Sequence, residues 1–312
     1  MQGIVTKSTG SWYDVKSDNQ VFKCRIKGKF RIKGIKSTNP ITVGDIVDFE
    51  LEENSDLGII HYIHPRKNYI IRKSVNLSKQ THIIASNIDQ VFLFITVDNP
   101  VTTTGFIDRF LASAEAYKIP VILLFNKIDS YDSEALEVLN KLQNIYEKIG
   151  YQTILASAKE NKNIDLIKKL MQDKVSLFAG HSGVGKSTLA NKLDENLHLK
   201  TKEISQQHKQ GQHTTTFAEM HQLPFGGYLI DTPGIKGFGV VDFEKEEVGD
   251  YFPEFFALKS HCKFNNCIHL NEPKCAVKEA VKNGEIAPSR YKSYLQILDG
   301  DQEHYRTENY DL

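Results

Sequence analysis

Cysteine is scarce in this chain, with only four in 312 residues, and three of them (Cys262, Cys267 and Cys275) crowd into fourteen positions. That is too few, and too uneven, for the disulfide framework of a secreted domain. The crowding suggests a metal instead. No apolar run approaches the length of a membrane span, and Met1 to Gly10 carries neither a long apolar stretch nor a small-residue cleavage site. The expectation is a cytoplasmic chain with no membrane contact. Proline is limited to nine residues, and hydrophobic and charged contents of 40% and 25% are ordinary, which argues against disorder and collagen. At this length two or three domains can each bury a core.

Net charge is also missing, since 39 Lys and Arg balance 39 Asp and Glu. The balance is not local. Residues 1–75 hold 13 basic against 8 acidic side chains. In "FKCRIKGKFRIK", Phe22, Cys24, Ile26, Phe30 and Ile32 alternate with Lys23, Arg25, Lys27, Lys29, Arg31 and Lys33. Successive strand side chains point to opposite faces, so the stretch reads as one or two strands with an apolar inner and a basic outer face. With "DIVDFELE" and "GIIHYIH" following, residues 1–73 read as a small β-barrel of the oligonucleotide-binding (OB) type. Six like charges on one face suit a polyanion such as an RNA backbone. The plainer alternative is an edge strand that uses lysine to avoid aggregation.

After a polar link over about 74–87, the texture changes to apolar runs alternating with helical patterns. "QVFLFITVD", "VILLFNKID", "QTILAS", "KVSLFAG" and "GYLIDTPG" read as buried, largely parallel strands. Phe106, Phe110, Leu111 and Ala114 mark one helix between them. Another spans Asp132 to Ile149, with Leu136, Leu139, Leu142, Ile145, Tyr146 and Ile149 on a stripe that ends at Gly150. Residues 74–241 are thus a doubly wound α/β domain.

"GHSGVGKST" fits G-x-x-x-x-G-K-[ST] after a strand and supplies Gly180, His181, Ser182, Gly183, Val184, Gly185, Lys186, Ser187 and Thr188. Glycine lets the backbone N–H groups converge on phosphate oxygens, and the next helix adds its positive end. Lys186 would hold the β- and γ-phosphates and Ser187 would ligate Mg²⁺. Asp231 of "DTPG" would reach the magnesium shell, and the Gly234 N–H would meet the γ-phosphate. "NKID" supplies Asn126, Lys127, Ile128 and Asp129. Guanine offers two parallel donors that one carboxylate can accept, and adenine does not, so Asp129 selects GTP. A bidentate contact of this kind discriminates by roughly 1–3 kcal/mol. Lys127 would lay its stem over the ring, and Asn126 would tie the base loop to the phosphate loop. Ser157, Ala158 and Lys159 follow a further strand, where a backbone N–H can meet guanine O6.

The order of these parts is base motif, SAK, phosphate loop, threonine stretch, DTPG, a circular permutation of the Ras-like order. Joining old termini and cutting elsewhere leaves the same pocket. On these motifs, together with "GQHTTTF" and the C-terminal Cys/His cluster, the chain resembles the ribosome small-subunit-dependent GTPase A family. Gln212 departs from the arginine common there. The resemblance implies a GTPase that binds the small ribosomal subunit and 16S rRNA, assists late maturation and is stimulated by that subunit. It also implies guanine contacts at 126–129, phosphate contacts at 180–188 and a switch threonine within Thr214 to Thr216, assigned to Thr215. A monomer is expected.

From Asp242 on, Cys262, Cys267, His269 and Cys275 offer three sulfurs and one imidazole, enough for a closed tetrahedral Zn²⁺ shell of structural type. The resemblance carries the same spacing. Helical patterns at 274–283 and 289–298 make 242–312 a small helical zinc-binding domain. Two other readings remain, a P-loop ATPase or kinase and an RNA-binding scaffold that only holds nucleotide. The second draws on Ile235, which stands where a Ras-like enzyme has its water-orienting glutamine. His213 is the candidate substitute, with His208 a weaker one and a loop histidine without chemistry the bland alternative. His213→Ala is expected to abolish subunit-stimulated turnover while sparing nucleotide binding; unchanged stimulated phosphate release would refute the assignment.

Overall fold

The computed structural model describes residues 1–26, 40–53, 55–73, 81–197, 218–231 and 243–300. Two compact units emerge, Met1–Phe92 with Asn163–Phe238, and Leu93–Lys162 with Gly239–Leu312.

In the first unit, β1 (Gln2–Ser8), β2 (Tyr13–Ser17), β3 (Gln20–Ile26), β4 (Ile46–Leu51) and β5 (Leu57–Ile63) pair in the order β1-β2-β3-β5-β4, and β4 returns to β1. The sheet closes into the expected five-stranded OB-type barrel around Val5, Tyr13, Val15, Cys24, Ile41, Val47, Phe49 and Ile60. The alternation of β3 holds where it is described: Cys24 is buried, while Lys23 and Arg25 are exposed. Arg25 pairs with Glu52. Lys27 to Lys33, the rest of the basic stretch, lies outside the described residues.

A second, two-stranded sheet joins β6 (Tyr69–Lys73) to β7 (Thr81–Ser86). The link read as polar over 74–87 therefore contains a strand, whose Ile83, Ile84 and Ala85 are too few to show a period. A fully buried carboxylate fixes this hairpin to the barrel. Asp45 accepts from Arg66 Nε and Nη2 at 2.6 Å each, from Ser86 Oγ at 2.6 Å and from Thr42 N at 2.9 Å. Desolvating that charge is tolerable only because so many donors surround it.

The remaining elements are β8 (Gln90–Ile95), α1 (Thr104–Ala116), β9 (Val121–Phe125), α2 (Ser133–Ile149), β10 (Gln152–Leu155), α3 (Ile164–Met171), β11 (Val175–Ala179), α4 (Lys186–Leu193), β12 (Glu219–Gln222), β13 (Tyr228–Asp231), α5 (Pro253–Lys259), α6 (Ala276–Lys282) and α7 (Pro288–Asp299). In the first unit β11 runs parallel to β13, and β12 pairs antiparallel with both β13 and β1. The antiparallel β12 escaped the sequence reading because Glu219, His221 and Gln222 leave it no apolar run. Its contact with β1 is the pair Lys7 and Glu219, whose side chains form an ion pair at 3.3 Å.

In the second unit β9 lies beside β8 and runs parallel to β10. Every side chain of β8 and β9 is buried, as their unbroken apolar runs require. Helix α2 starts where the Asp132 carboxylate accepts from Ala135 N at 2.9 Å and stops at Gly150, whose φ of 109° suits glycine. Its buried stripe is Leu139, Leu142 and Tyr146, whereas Leu136 in the first turn is 41% exposed.

The C-terminal helices pack with α1 in this same unit. Their core contains Phe252, Phe255, Val277, Ile286 and Tyr294, together with Ala112 of α1. At its centre the Arg290 guanidinium, 1% exposed, donates to Asp108 of α1 at 2.8 Å and to both oxygens of Glu254 of α5 at 2.7 and 3.0 Å. Tyr146 donates to the same Asp108 oxygen at 2.7 Å. Burial pulls down on the Arg290 guanidinium, and the two carboxylates outweigh it, holding it well above its ordinary value. Removing one member strands a buried charge. Arg290→Met is expected to lower unfolding free energy by about 3–5 kcal/mol, measured by urea titration of the second unit's transition; an unshifted midpoint would contradict this.

Candidate nucleotide and metal sites

The base loop leaves the C-terminal end of β9, where open α/β sheets bind ligands. Asn126, 1% exposed, continues the strand: its N–H reaches Ile95 O at 2.9 Å, and its Oδ1 accepts from Ala158 N at 3.3 Å. This joins "NKID" to "SAK" within the second unit. Lys127 then adopts the left-handed conformation, φ 64° and ψ 28°, which is disfavoured for a side-chain-bearing residue by about 1–3 kcal/mol. The kink is braced by Ser130, whose N–H and hydroxyl donate to Lys127 O at 3.0 and 2.8 Å. Lys127 Nζ donates to Asn99 O at 2.8 Å, and burial pushes its ammonium down against the pull of Asp98 and Asp129.

Ile128 and Asp129 open a short 3₁₀ turn, and the Asp129 side chain is exposed. Ser157, fully buried, donates its hydroxyl to Asp129 Oδ1 at 2.5 Å and accepts from Glu160 N at 2.9 Å. Ala158 is buried and Lys159 exposed beside it. The second unit thus presents an oriented carboxylate at a strand end, the feature that reading paired donors requires.

The phosphate loop belongs to the first unit and runs from β11 into α4. Gly180, Gly183 and Gly185 have φ of 136°, 88° and 97°, so the curl depends on glycine. Val184 is buried beneath it, while His181, Ser182, Ser187 and Thr188 lie at or near the surface. Lys186 Nζ reaches back over the loop to Gly180 O and His181 O, at 2.7 Å each. Ser187 follows in the first turn of α4, where the helix N-terminus favours negative charge.

Comparison with known proteins matches this arrangement twice over. The profile described as RsgA GTPase covers residues 63–241, and that described as RsgA N-terminal domain covers residues 2–60. The chain belongs to the RsgA GTPase family. The small ribosomal subunit biogenesis GTPase RsgA of Flavobacterium johnsoniae is 65% identical over 99% of this chain and 96% of its own length. That of Bacteroides fragilis strain YCH46 is 54% identical over 97% and 98%. Among solved structures, YjeQ from Thermotoga maritima superposes with a TM-score of 0.79 at 35% identity, covering 96% of this chain and 97% of that one. YloQ, described as a circularly permuted GTPase, gives 0.73 at 31% identity over 99% and 96%. As an RsgA GTPase, the chain is a GTP hydrolase on the permuted fold. The RsgA residues His213, Thr215 and Gly234, together with Gln212 and Ile235, lie outside the described residues; Asp231 ends β13.

This RsgA chain also carries a cluster able to hold a metal ion. Cys262, Cys267, His269 and Cys275 are all buried, and their ligand atoms lie within 4.8 Å of one another. His269 Nδ1 sits 3.7 Å from Cys262 Sγ and 3.3 Å from Cys275 Sγ. A tetrahedral zinc with ordinary bond lengths sets its ligands roughly 3.5–4 Å apart, so the cluster fits. Burial pushes the Cys267 thiol up to about 12 and the Cys275 thiol upward, and pushes the His269 imidazole down. A divalent cation would supply the positive charge that a buried thiolate needs.

Sequence reading found the ligands but missed their supports. Glu272 accepts from Ile268 N and Leu270 N at 2.8 Å each, and the Tyr291 and Tyr294 hydroxyls donate to His269 O and Ile268 O at 2.6 and 2.5 Å. A side chain at Gly249 would meet the His269 ring at 3.3 Å, so that position stays bare. Cys267→Ser is expected to remove one bound metal equivalent per chain and to lower the melting midpoint by several degrees; elemental analysis and a thermal scan check both, and retained metal would contradict it.

Proposed function

We propose that this chain is a GTP-driven factor acting on the small ribosomal subunit, whose 16S rRNA it contacts, and that it assists late maturation of that subunit. The names of its relatives support this reading, as do the exposed Lys23 and Arg25 of β3. The division of labour follows the sequence: residues 1–73 bind RNA, 74–241 form the nucleotide switch and 242–312 form the zinc-bearing module. The protein acts as a cytoplasmic monomer. Among the described residues, no helix is long and apolar enough to cross a membrane.

The observation that carries the nucleotide reading is the Asp129 carboxylate, held by Ser157 at 2.5 Å at the end of β9. Asn126 to Asp129 and Ser157 to Lys159 read guanine. Gly180 to Thr188 hold the triphosphate, with Ser187 and Asp231 on Mg²⁺, Thr215 and Gly234 sensing the γ-phosphate and His213 orienting water. Magnesium draws charge from the phosphates when bound. The Cys₃His cluster holds one structural Zn²⁺, the metal its soft donors favour. With Ile235 in place of a glutamine, intrinsic turnover is slow and the subunit completes the site.

Phosphate release from GTP and ATP, measured with and without small subunits, tests the whole reading. Strong stimulation with GTP and none with ATP is expected; equal rates with and without subunits would leave only a nucleotide-holding scaffold. Asp129→Asn is expected to weaken GTP binding by roughly 10- to 100-fold and to transfer preference to xanthosine triphosphate.

A further inference from the structure

Tyr131 lies two residues beyond the guanine-reading motif, and no feature of the motif requires it. Its hydroxyl bridges two backbones. It donates to Asn126 O at 2.5 Å and accepts from Val97 N, just past the end of β8, at 3.2 Å. The carbonyl it holds belongs to the peptide directly before Lys127, the residue in the left-handed conformation with φ 64°. Orienting that peptide plane holds the kink, and the kink sets where Asp129 points.

We propose that Tyr131 is a positioning residue for guanine recognition, acting through the Asn126–Lys127 peptide to hold the Asp129 carboxylate in line with the two guanine donors. It rests on the guanine reading of Asp129 given above. Three observations support it. The hydroxyl is well placed to act as donor and acceptor at once, because both partners are backbone groups fixed by strands β8 and β9. Burial pushes the phenol up to about 12 against the opposing pull of the Val97 N–H, with Asp98 and Asp129 adding to the rise, so it remains a proton donor throughout the physiological range. And Ser157 fixes the carboxylate only from the far side: it holds Oδ1 but does nothing for the backbone that delivers Asp129. The two hydroxyls divide the work, Ser157 setting the side chain and Tyr131 the main chain.

Tyr131→Phe tests this with the ring kept and only the hydroxyl removed. Equilibrium binding of GDP, GTP and inosine triphosphate, which lacks the exocyclic amine, is measured on the full chain, alongside subunit-stimulated turnover and a thermal scan. The expected result is GTP and GDP binding weaker by about tenfold, the cost of a buried hydrogen bond lost with its partner left in place. The preference for GTP over inosine triphosphate narrows, because a misdirected carboxylate loses its two-point contact. The melting midpoint falls by a few degrees, because Asn126 O and Val97 N each lose a partner; the narrowed discrimination between nucleotides is the readout that a merely structural role would not move. Wild-type affinity for GTP, or an equal loss for both nucleotides, would overturn the proposal. Asp129→Asn run in parallel separates the two ideas: if it does not exchange GTP for xanthosine triphosphate, the guanine reading itself fails, whatever Tyr131→Phe does.

Discussion

The second unit depends on one buried cation. Arg290 has no water to solvate it, so it must keep Asp108 and Glu254 within hydrogen-bond reach, and those carboxylates come from α1 and α5. The consequence is geometric. Helix α1 follows β8, and the Cys/His cluster lies in the segment between α5 and α6, so one guanidinium ties α1 to the helices around that cluster. A hydrophobic contact could slide by a fraction of a side chain, whereas three charged groups with fixed fork geometry cannot.

At the base loop the same logic appears on a smaller scale. A sharp backbone turn without glycine is unfavourable in itself, and Lys127 occupies one. The loop keeps it by spending its hydrogen bonds on both sides of the turn: Tyr131 on the preceding carbonyl, Ser130 on the following one, and Ala158 on the Asn126 amide oxygen. The phosphate loop solves its own curvature differently, with three glycines. One loop is shaped by composition and the other by cross-bonding. A substitution in the first is therefore felt at the mutated residue, and a substitution in the second at its partners.

This contrast explains what could be read from the sequence. The tight curl at Gly180 and Gly185 was legible in the spacing of the glycines, and the exposed carboxylate of Asp129 in its place after an apolar run. The barrel was legible in the alternation around Cys24, and the Cys/His cluster in its crowding. Tyr131 and Arg290 were not, since a single tyrosine or arginine has no period and its partners, Val97 and Asp108, lie 34 and 182 residues away. Strand β12, whose Glu219, His221 and Gln222 leave it no apolar run, and the seven-residue α5 did not announce themselves, and β7 was hidden in a stretch read as a polar link. Leu136 was placed on the apolar stripe of α2 by its spacing, and the structure leaves it 41% exposed in the first turn.

Strand β1 has three partners along seven residues: β4 and β2 within the barrel, and β12 beyond it. The register pair of Lys7 and Glu219 joins the barrel strand to β12. Loss of its pairing opens the closed sheet and at the same time bares the edge beside β12 and β13, so the two parts of the first unit are expected to fold and fail as a single cooperative block. The barrel and the phosphate-loop sheet share one compact unit, although residues 93–162 of the second unit separate them in sequence.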